Sequence, residues 1–175
     1  MIDLSHIRPA VPVEAIKAEL TQERFVRYTS KLNNEIYIVN VHNSPETVQE
    51  VGRLRELTFA SADGGTGKPV DLDELDLSDN PYQQLIVWNP EEEDIVGGYR
   101  FIDGATVAGG KGNPQHDLSM GHYFQFSPQF LEDYLPYSIE LGRSWVQPKY
   151  QPAVDPRKGM FALDNIWDGL GAIVL

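Results

Sequence analysis

The stretch Tyr137-Ser-Ile-Glu-Leu-Gly-Arg-Ser-Trp-Val-Gln-Pro-Lys-Tyr-Gln151 reads as a strand that carries Glu140 and Arg143 among apolar residues and stops at Pro148. A charge inside a core strand is costly unless it is paired or used. Opposite charges three residues apart, with a glycine between them, point to an arranged site. In a regular strand Glu140 and Arg143 face opposite sides, because side chains alternate with a period of two. A bulge at Gly142 is therefore predicted, since one extra residue turns both to the same side.

Downstream of this strand, Asp155-Pro156 has the form of a helix start, with the acidic residue as cap and proline at the first helical position, and the helix is expected to run to the end of the sequence. Upstream, Ser127-Pro128 repeats that signature for a helix to about Tyr134. His122 to Phe126 reads as a short strand, and 104–121 as a glycine-rich loop. Ile95 to Asp103 and Tyr82 to Asn89 alternate and are joined by the turn Pro90 to Asp94, an antiparallel hairpin. Residues 60–80 form a loop rich in Gly and Asp. Ser44-Pro45 opens a helix whose inward stripe is Val48, Val51, Leu54, Arg55 and Thr58. Glu35 to His42 is the first strand. Before it, Val13 to Leu20 and Thr21 to Tyr28 read as two short helices. The order implies an α/β (α+β) fold: a mostly antiparallel central sheet flanked by helices. Two parts are expected, an N-terminal helical extension over 1–32 and the main domain over 33–175. A helix after a buried strand ordinarily crosses to another strand, so the C-terminal strands are expected to be missing from this sequence.

The chain of 175 residues is 41% hydrophobic and 23% charged, ordinary values for one globular domain. It has no cysteine, which removes disulfides and thiolate metal sites. No run of 18 apolar residues and no basic-then-apolar leader is present, so a cytoplasmic location follows by default, with contact at a membrane surface left open. The net charge of −12 opposes general binding to nucleic acid. Residues 141–160 are the exception: Arg143, Lys149, Arg157 and Lys158 face Asp155 alone, a local balance of +3. Such an island suits an anionic partner. Gly64-Gly-Thr-Gly67 and Gly109-Gly-Lys-Gly112 lack the setting of a phosphate loop, and no histidine has metal-ligand spacing. No metal is expected.

Four pieces fall into one pattern: Arg55 with Phe59, Asp73-Glu-Leu-Asp76, Val96-Gly-Gly-Tyr-Arg100, and Ile139-Glu-Leu-Gly-Arg143. In this order they resemble the acyl-carrier-dependent branch of the GNAT acyltransferase superfamily, over roughly residues 35–175. Two groups there are similar. One is the acyl-homoserine-lactone synthases. The other is the hemolysin-like N-acyltransferases, which acylate ornithine or glycine to start aminolipid synthesis; Glu140-Leu-Gly-Arg-Ser144 followed by Val146-x-Pro-x-Tyr150 is more similar to these. The resemblance implies transfer of a long-chain acyl group from an acyl-carrier-protein phosphopantetheine, or from acyl-CoA, to the amino group of a small amino acid, with no permanently bound cofactor. One departure stands out. Where the family has a glycine-rich phosphate loop, Asp155-Pro-Arg-Lys-Gly-Met-Phe-Ala162 holds one glycine, which leaves room for a carrier protein as donor in place of CoA.

N-acylation needs a thioester carbonyl held still, an amine freed of its proton, and a seat for oxyanion charge. Glu140 is the candidate proton acceptor, provided burial raises its pKa. Arg100 is placed to form a bidentate pair with Glu140 or Asp76, and Arg143 accompanies Glu140 on the strand. Asp73 and Asp76 are candidates for gripping an amino group; Arg55 and Phe59 join the substrate side through the resemblance. The pantetheine arm is expected along Trp145 and Val146, with its phosphate at the helix start beside Arg157, Lys158 and Gly159. The charged residues have a plainer reading too, as a buried ion network that only orders the fold. A lactone synthase with an adenosyl-methionine pocket, or a non-catalytic binding domain, remain alternatives at this point.

Overall fold

The computed structural model describes residues 3–174. Five strands form one sheet in the order β1-β2-β3-β4-β5, every neighbouring pair antiparallel. They are β1 (Phe25–Tyr28), β2 (Glu35–Val39), β3 (Gln83–Asn89), β4 (Asp94–Asp103) and β5 (Ile139–Val146). The helices are α1 (Val13–Glu19), α2 (Pro45–Ala60), α3 (Glu74–Leu77), α4 (Gly104–Gly109), α5 (Pro114–Asp117) and α6 (Pro156–Val174).

Alternation along the strands feeds two cores. Tyr37, Val39, Ile86, Trp88 and Ile95 point toward α2 and meet Val48, Val51 and Leu54. Leu85, Val87, Val96, Tyr99 and Phe101 point the other way, against Ala162 and Ile166 of α6. The sheet is thus covered on both faces, the α/β arrangement expected from the order of elements. A third, smaller cluster of Tyr82, Ile102, Leu118 and Leu135 supports the loops beyond β4.

Three local expectations are corrected. Thr21 to Tyr28 is not a helix: Phe25–Tyr28 forms β1, so the segment read as a helical extension contributes a strand to the sheet. Phe25 stacks edge-on against Tyr37 at 5.7 Å, and aromatic cross-strand packing outweighs helix propensity here. The hairpin closes through Leu32 and Asn33, both left-handed at φ 65° and 53°. Ser44 does not cap α2 through its hydroxyl, which is buried without a partner. Instead the Glu19 carboxylate, at the end of α1, accepts from Glu46 N at 3.1 Å and Thr47 N at 2.7 Å. A full charge at the positive helix end is a stronger cap than a hydroxyl. Finally, His122 to Phe126 is not a strand. The Gln115 amide takes its hydrogen bonds instead, donating to Gly121 O and Phe124 O and accepting from Phe126 N.

Close approach explains one glycine pair in β4. A Cβ at Gly98 would lie 2.2 Å from the Leu85 carbonyl oxygen, and one at Gly97 would lie 2.4 Å from that of Trp145. Gly98→Ala is expected to lower stability by about 1–3 kcal/mol, the usual cost of overpacking a core. A urea midpoint equal to that of the parent would show that the sheet yields there.

Candidate active site

β5 has β4 on one side only, among the described residues. Its pairing runs Glu140 to Ile102, Leu141 to Phe101, Gly142 to Arg100, then Trp145 to Gly98. Two steps along β4 match three along β5, so the bulge lies in Gly142–Trp145, and Arg143 takes its left-handed conformation at φ 50°. It falls one residue beyond the predicted glycine. A side chain rather than a hydrogen occupies the strained position, and strain of this kind concentrates at functional sites. The bulge turns Arg143 toward the α2 side, where Arg100 and Glu140 also point.

On that face three arginines meet three aspartates. Arg55, fully buried, donates from Nε to Asp71 Oδ2 at 3.2 Å and from Nη1 to both oxygens of Asp76 at 3.3 Å. Its head does not reach solvent, because Asp71 and Asp76 are themselves sealed. Arg100 Nη1 lies 2.8 Å from both oxygens of Asp73 and 3.1 Å from Asp76 Oδ2. Of the two acceptors foreseen for Arg100, Asp76 is the one used, together with Asp73. Arg143 Nη2 stands 3.5 Å from Asp71 and 3.5 Å from Asp73. Local folding places the acids: Asp73 caps α3, accepting from Leu75 N and Asp76 N, while Asp76 accepts from Asp73 N. Burial pushes the Asp73 carboxyl up, but the charge and hydrogen bonds of Arg100 outweigh it and hold the group below its ordinary value. Burial alone would make Arg100 easier to deprotonate, yet Asp76 and Asp73 reverse this, and its guanidinium stays charged. Phe59 packs half-buried against the α2-side core.

Glu140 is not in the apolar setting expected for it. Its carboxylate accepts from the Tyr82 hydroxyl, from Ser119 N at 3.1 Å and from Met120 N at 2.8 Å. The Tyr82 ring in turn lies 4.8 Å beneath the Arg100 guanidinium carbon. Burial, then the bond to Glu140, pushes the Tyr82 hydroxyl well above its usual range, so it remains a neutral donor. Tyr82, Gln84, Asp71 and the two loop amides were missed in the sequence. Gln84 left a trace: it directly precedes the apolar run Leu85–Trp88, sits opposite Arg100 and donates to Asp76 Oδ1 at 2.9 Å. Beside Glu140 opens a cleft of about 440 Å³, lined by Leu118, Met120, Phe124, Phe126, Phe130 and Ile139.

The predicted anion seat is less open than its sequence implies. Trp145, Val146 and Gly159 line a cavity of about 250 Å³ between β5 and α6. Gly159 is required there, since a Cβ would lie 2.3 Å from Pro152 N. The first amides of α6, Arg157 N and Lys158 N, are already taken by Asp155 Oδ1 at 3.0 Å each. Lys158 pairs with Glu92, and Lys149 with Glu92 and Asp94 at 2.8 Å. The basic island is thus largely neutralised by the β3–β4 turn; Arg157 alone of its cations makes no ion pair among the described residues. Hydrogen bonds from Lys149 and then Lys158 draw the Glu92 carboxyl down to about 2. Its folded value is depressed, so its contribution is complete above the ordinary value of 4.5 and disappears as pH falls toward 2. The stability difference between the parent and Glu92→Gln should accordingly be present at pH 6 and vanish by pH 2. A difference independent of pH would contradict this pairing.

Among the described residues no group of His, Asp and Glu is arranged to hold a metal ion, and no helix is long and apolar enough to cross a membrane. The family described as "Acetyltransferase (GNAT) domain" matches residues 54–155. A glycine N(alpha)-acyltransferase of Phocaeicola vulgatus is 49% identical over 173 residues, covering 98% of this chain and 52% of the relative. Another, from Bacteroides thetaiotaomicron, is 50% identical over 169 residues, covering 97% of this chain and 50% of the relative. The chain therefore spans about half the length of the curated relatives it matches. No solved structure matches.

Proposed function

Given that this chain belongs to the acetyltransferase (GNAT) domain family, we propose that it carries the transfer site of an N-acyltransferase. The enzyme moves a long-chain acyl group from a carrier-protein thioester to the amino group of an amino acid, as the first step of aminolipid synthesis of the hemolysin-like type. Glycine is the acceptor favoured by the names of the relatives at 49% and 50% identity. The observation that carries the reading is the bulge of β5, which turns Arg143 to the face that holds Glu140 and Arg100, with Glu140 lining an apolar cleft.

In this reading the amine nitrogen attacks the thioester carbonyl carbon. The C–N bond forms, the C–S bond breaks, and the thiolate leaves to be protonated. The proton lost by the amine passes to Glu140, directly or through water. Glu140 Oε1 accepts only Met120 N–H, so it keeps capacity for a further donor. A bulge leaves backbone groups outside the ladder, and an N–H there suits the developing oxyanion. The cleft of about 440 Å³ is close to three times the roughly 150 Å³ that accommodates benzene, room for a chain rather than for glycine. The carrier-bound donor rests on the resemblance; with the first amides of α6 occupied, Arg157, which makes no ion pair among the described residues, is the group left to meet a donor phosphate. Contact with a membrane surface belongs to the same reading, since the product is a lipid.

The donor is tested by presenting one acyl chain on a carrier protein and on CoA, with glycine, and following thiol release by the whole protein. Faster release from the carrier is expected. Equal or faster release from CoA would overturn the donor assignment, and glycine-independent release would overturn the acceptor.

A further inference from the structure

The ion network is not uniform. Asp71, Asp76, Arg55 and Arg100 expose at most 2% of their side chains, whereas Asp73 exposes 33% and Arg143 34%. One anion and one cation therefore stand at the rim. Their contact with each other is 3.5 Å, as is that of Arg143 with Asp71, against 2.8 Å for Arg100 with Asp73. At 3.5 Å a hydrogen bond is weak. Arg143 is thus an under-satisfied guanidinium at the mouth of a sealed cluster. Beneath it, Arg100 keeps its Nε–H buried without a partner, and this is the nearest side-chain atom to the space above Gly142. Arg143 Nη2 and Arg100 Nε are thus donors with capacity to spare on either side of Gly142. Arg143 also holds φ at 50°, a conformation an arginine adopts only when its surroundings impose it.

Resting on the acyl-transfer reading above, we infer that Arg143 and Asp73 recognise the acceptor as a zwitterion, Arg143 taking its carboxylate and Asp73 its ammonium before deprotonation. Charge balance supports the pairing. Within the network three arginines match three aspartates, so a ligand that brings one charge of each sign, each to its own partner, leaves that balance unchanged. Arginine forks bind carboxylates in two-point contact, which fixes the amine end relative to the thioester. The chemical class selected is a free α-amino acid, in preference to an amine or an amino-acid amide.

The experiment compares glycine with glycinamide, which lacks the carboxylate, as acceptors for the whole protein. The parent should prefer glycine by about 10²-fold in kcat/KM, the scale of removing one partner of a fixed charge pair. Arg143→Gln should bring that ratio close to one. Arg143→Gly should do the same while melting no lower than Arg143→Gln, which loses the same charge, because glycine takes the left-handed conformation without strain. If Arg143→Gln lowers both rates equally and preserves the ratio, zwitterion recognition is overturned while acyl transfer stands. A drop in Tm large enough to leave either variant mostly unfolded at the assay temperature would make the arginine a structural strut and overturn the inference as well. Acylation of neither amine by the parent would remove the acyl-transfer reading and this inference with it.

Discussion

Glu140→Gln is expected to lower kcat by about 10²–10⁴, the range supplied by one positioned acid–base group, with a loss of stability of about 1–3 kcal/mol, that of one backbone hydrogen bond. The substitution is nearly isosteric. A glutamine oxygen still accepts from Met120 N, as Oε1 does at 2.8 Å, while its amide nitrogen donates to the Tyr82 hydroxyl and gives up the bond from Ser119 N. The ability to take a proton from the attacking amine is lost. If Glu140 serves only to fasten the 118–122 loop, stability falls and turnover per folded molecule is preserved. Measuring kcat and the urea midpoint on the same preparations separates these outcomes.

Asp76→Ala should have the largest effect on stability, about 3–5 kcal/mol, the cost of leaving buried charges uncompensated. Asp76 is fully buried and serves four donors at once: Arg55 Nη1, Arg100 Nη1, Gln84 Nε2 and the Asp73 amide. Its removal leaves three guanidiniums facing two aspartates, with Arg55 and Arg100 sealed from water and one positive charge uncompensated. Whole-domain stabilities are commonly about 5–15 kcal/mol, so this variant should be close to unfolding. Asp73→Ala should cost less, because water reaches its third-exposed carboxylate and replaces part of what is lost. A urea series that ranks Asp73→Ala as the more damaging would mean that the centre of the network has been misplaced.

The strands that frame this site were legible because alternation is a direct imprint of a two-faced sheet. β3 and β4 follow their predicted bounds within a residue. β1 was hidden because Phe25-Val-Arg-Tyr28 is short, and only its partner across the hairpin, Tyr37, makes it a strand. The 122–126 segment failed for the opposite reason: it has strand-like residues, but a glutamine side chain supplies the pairing. The charged members of the site were found through the cost of burying them. Their partners were less visible. Backbone amides such as Ser119 N and Met120 N hold Glu140 and leave no mark in a sequence, and a helix cap set the positions of Asp73 and Asp76. The bulge was predicted at Gly142 because Glu140 and Arg143 could share a face only if one extra residue lay between them. The structure puts the left-handed conformation on Arg143, where the side chain is needed and the strain is accepted.

The most direct measurement is product formation. The whole protein is incubated with a long-chain acyl thioester of a carrier protein and isotopically labelled glycine, and the amide is identified by mass. The expected result is N-acylglycine bearing the label, formed one for one with released thiol and lost in Glu140→Gln. Thioester consumed without labelled amide, or amide formed equally well by Glu140→Gln, would contradict acyl transfer at this strand.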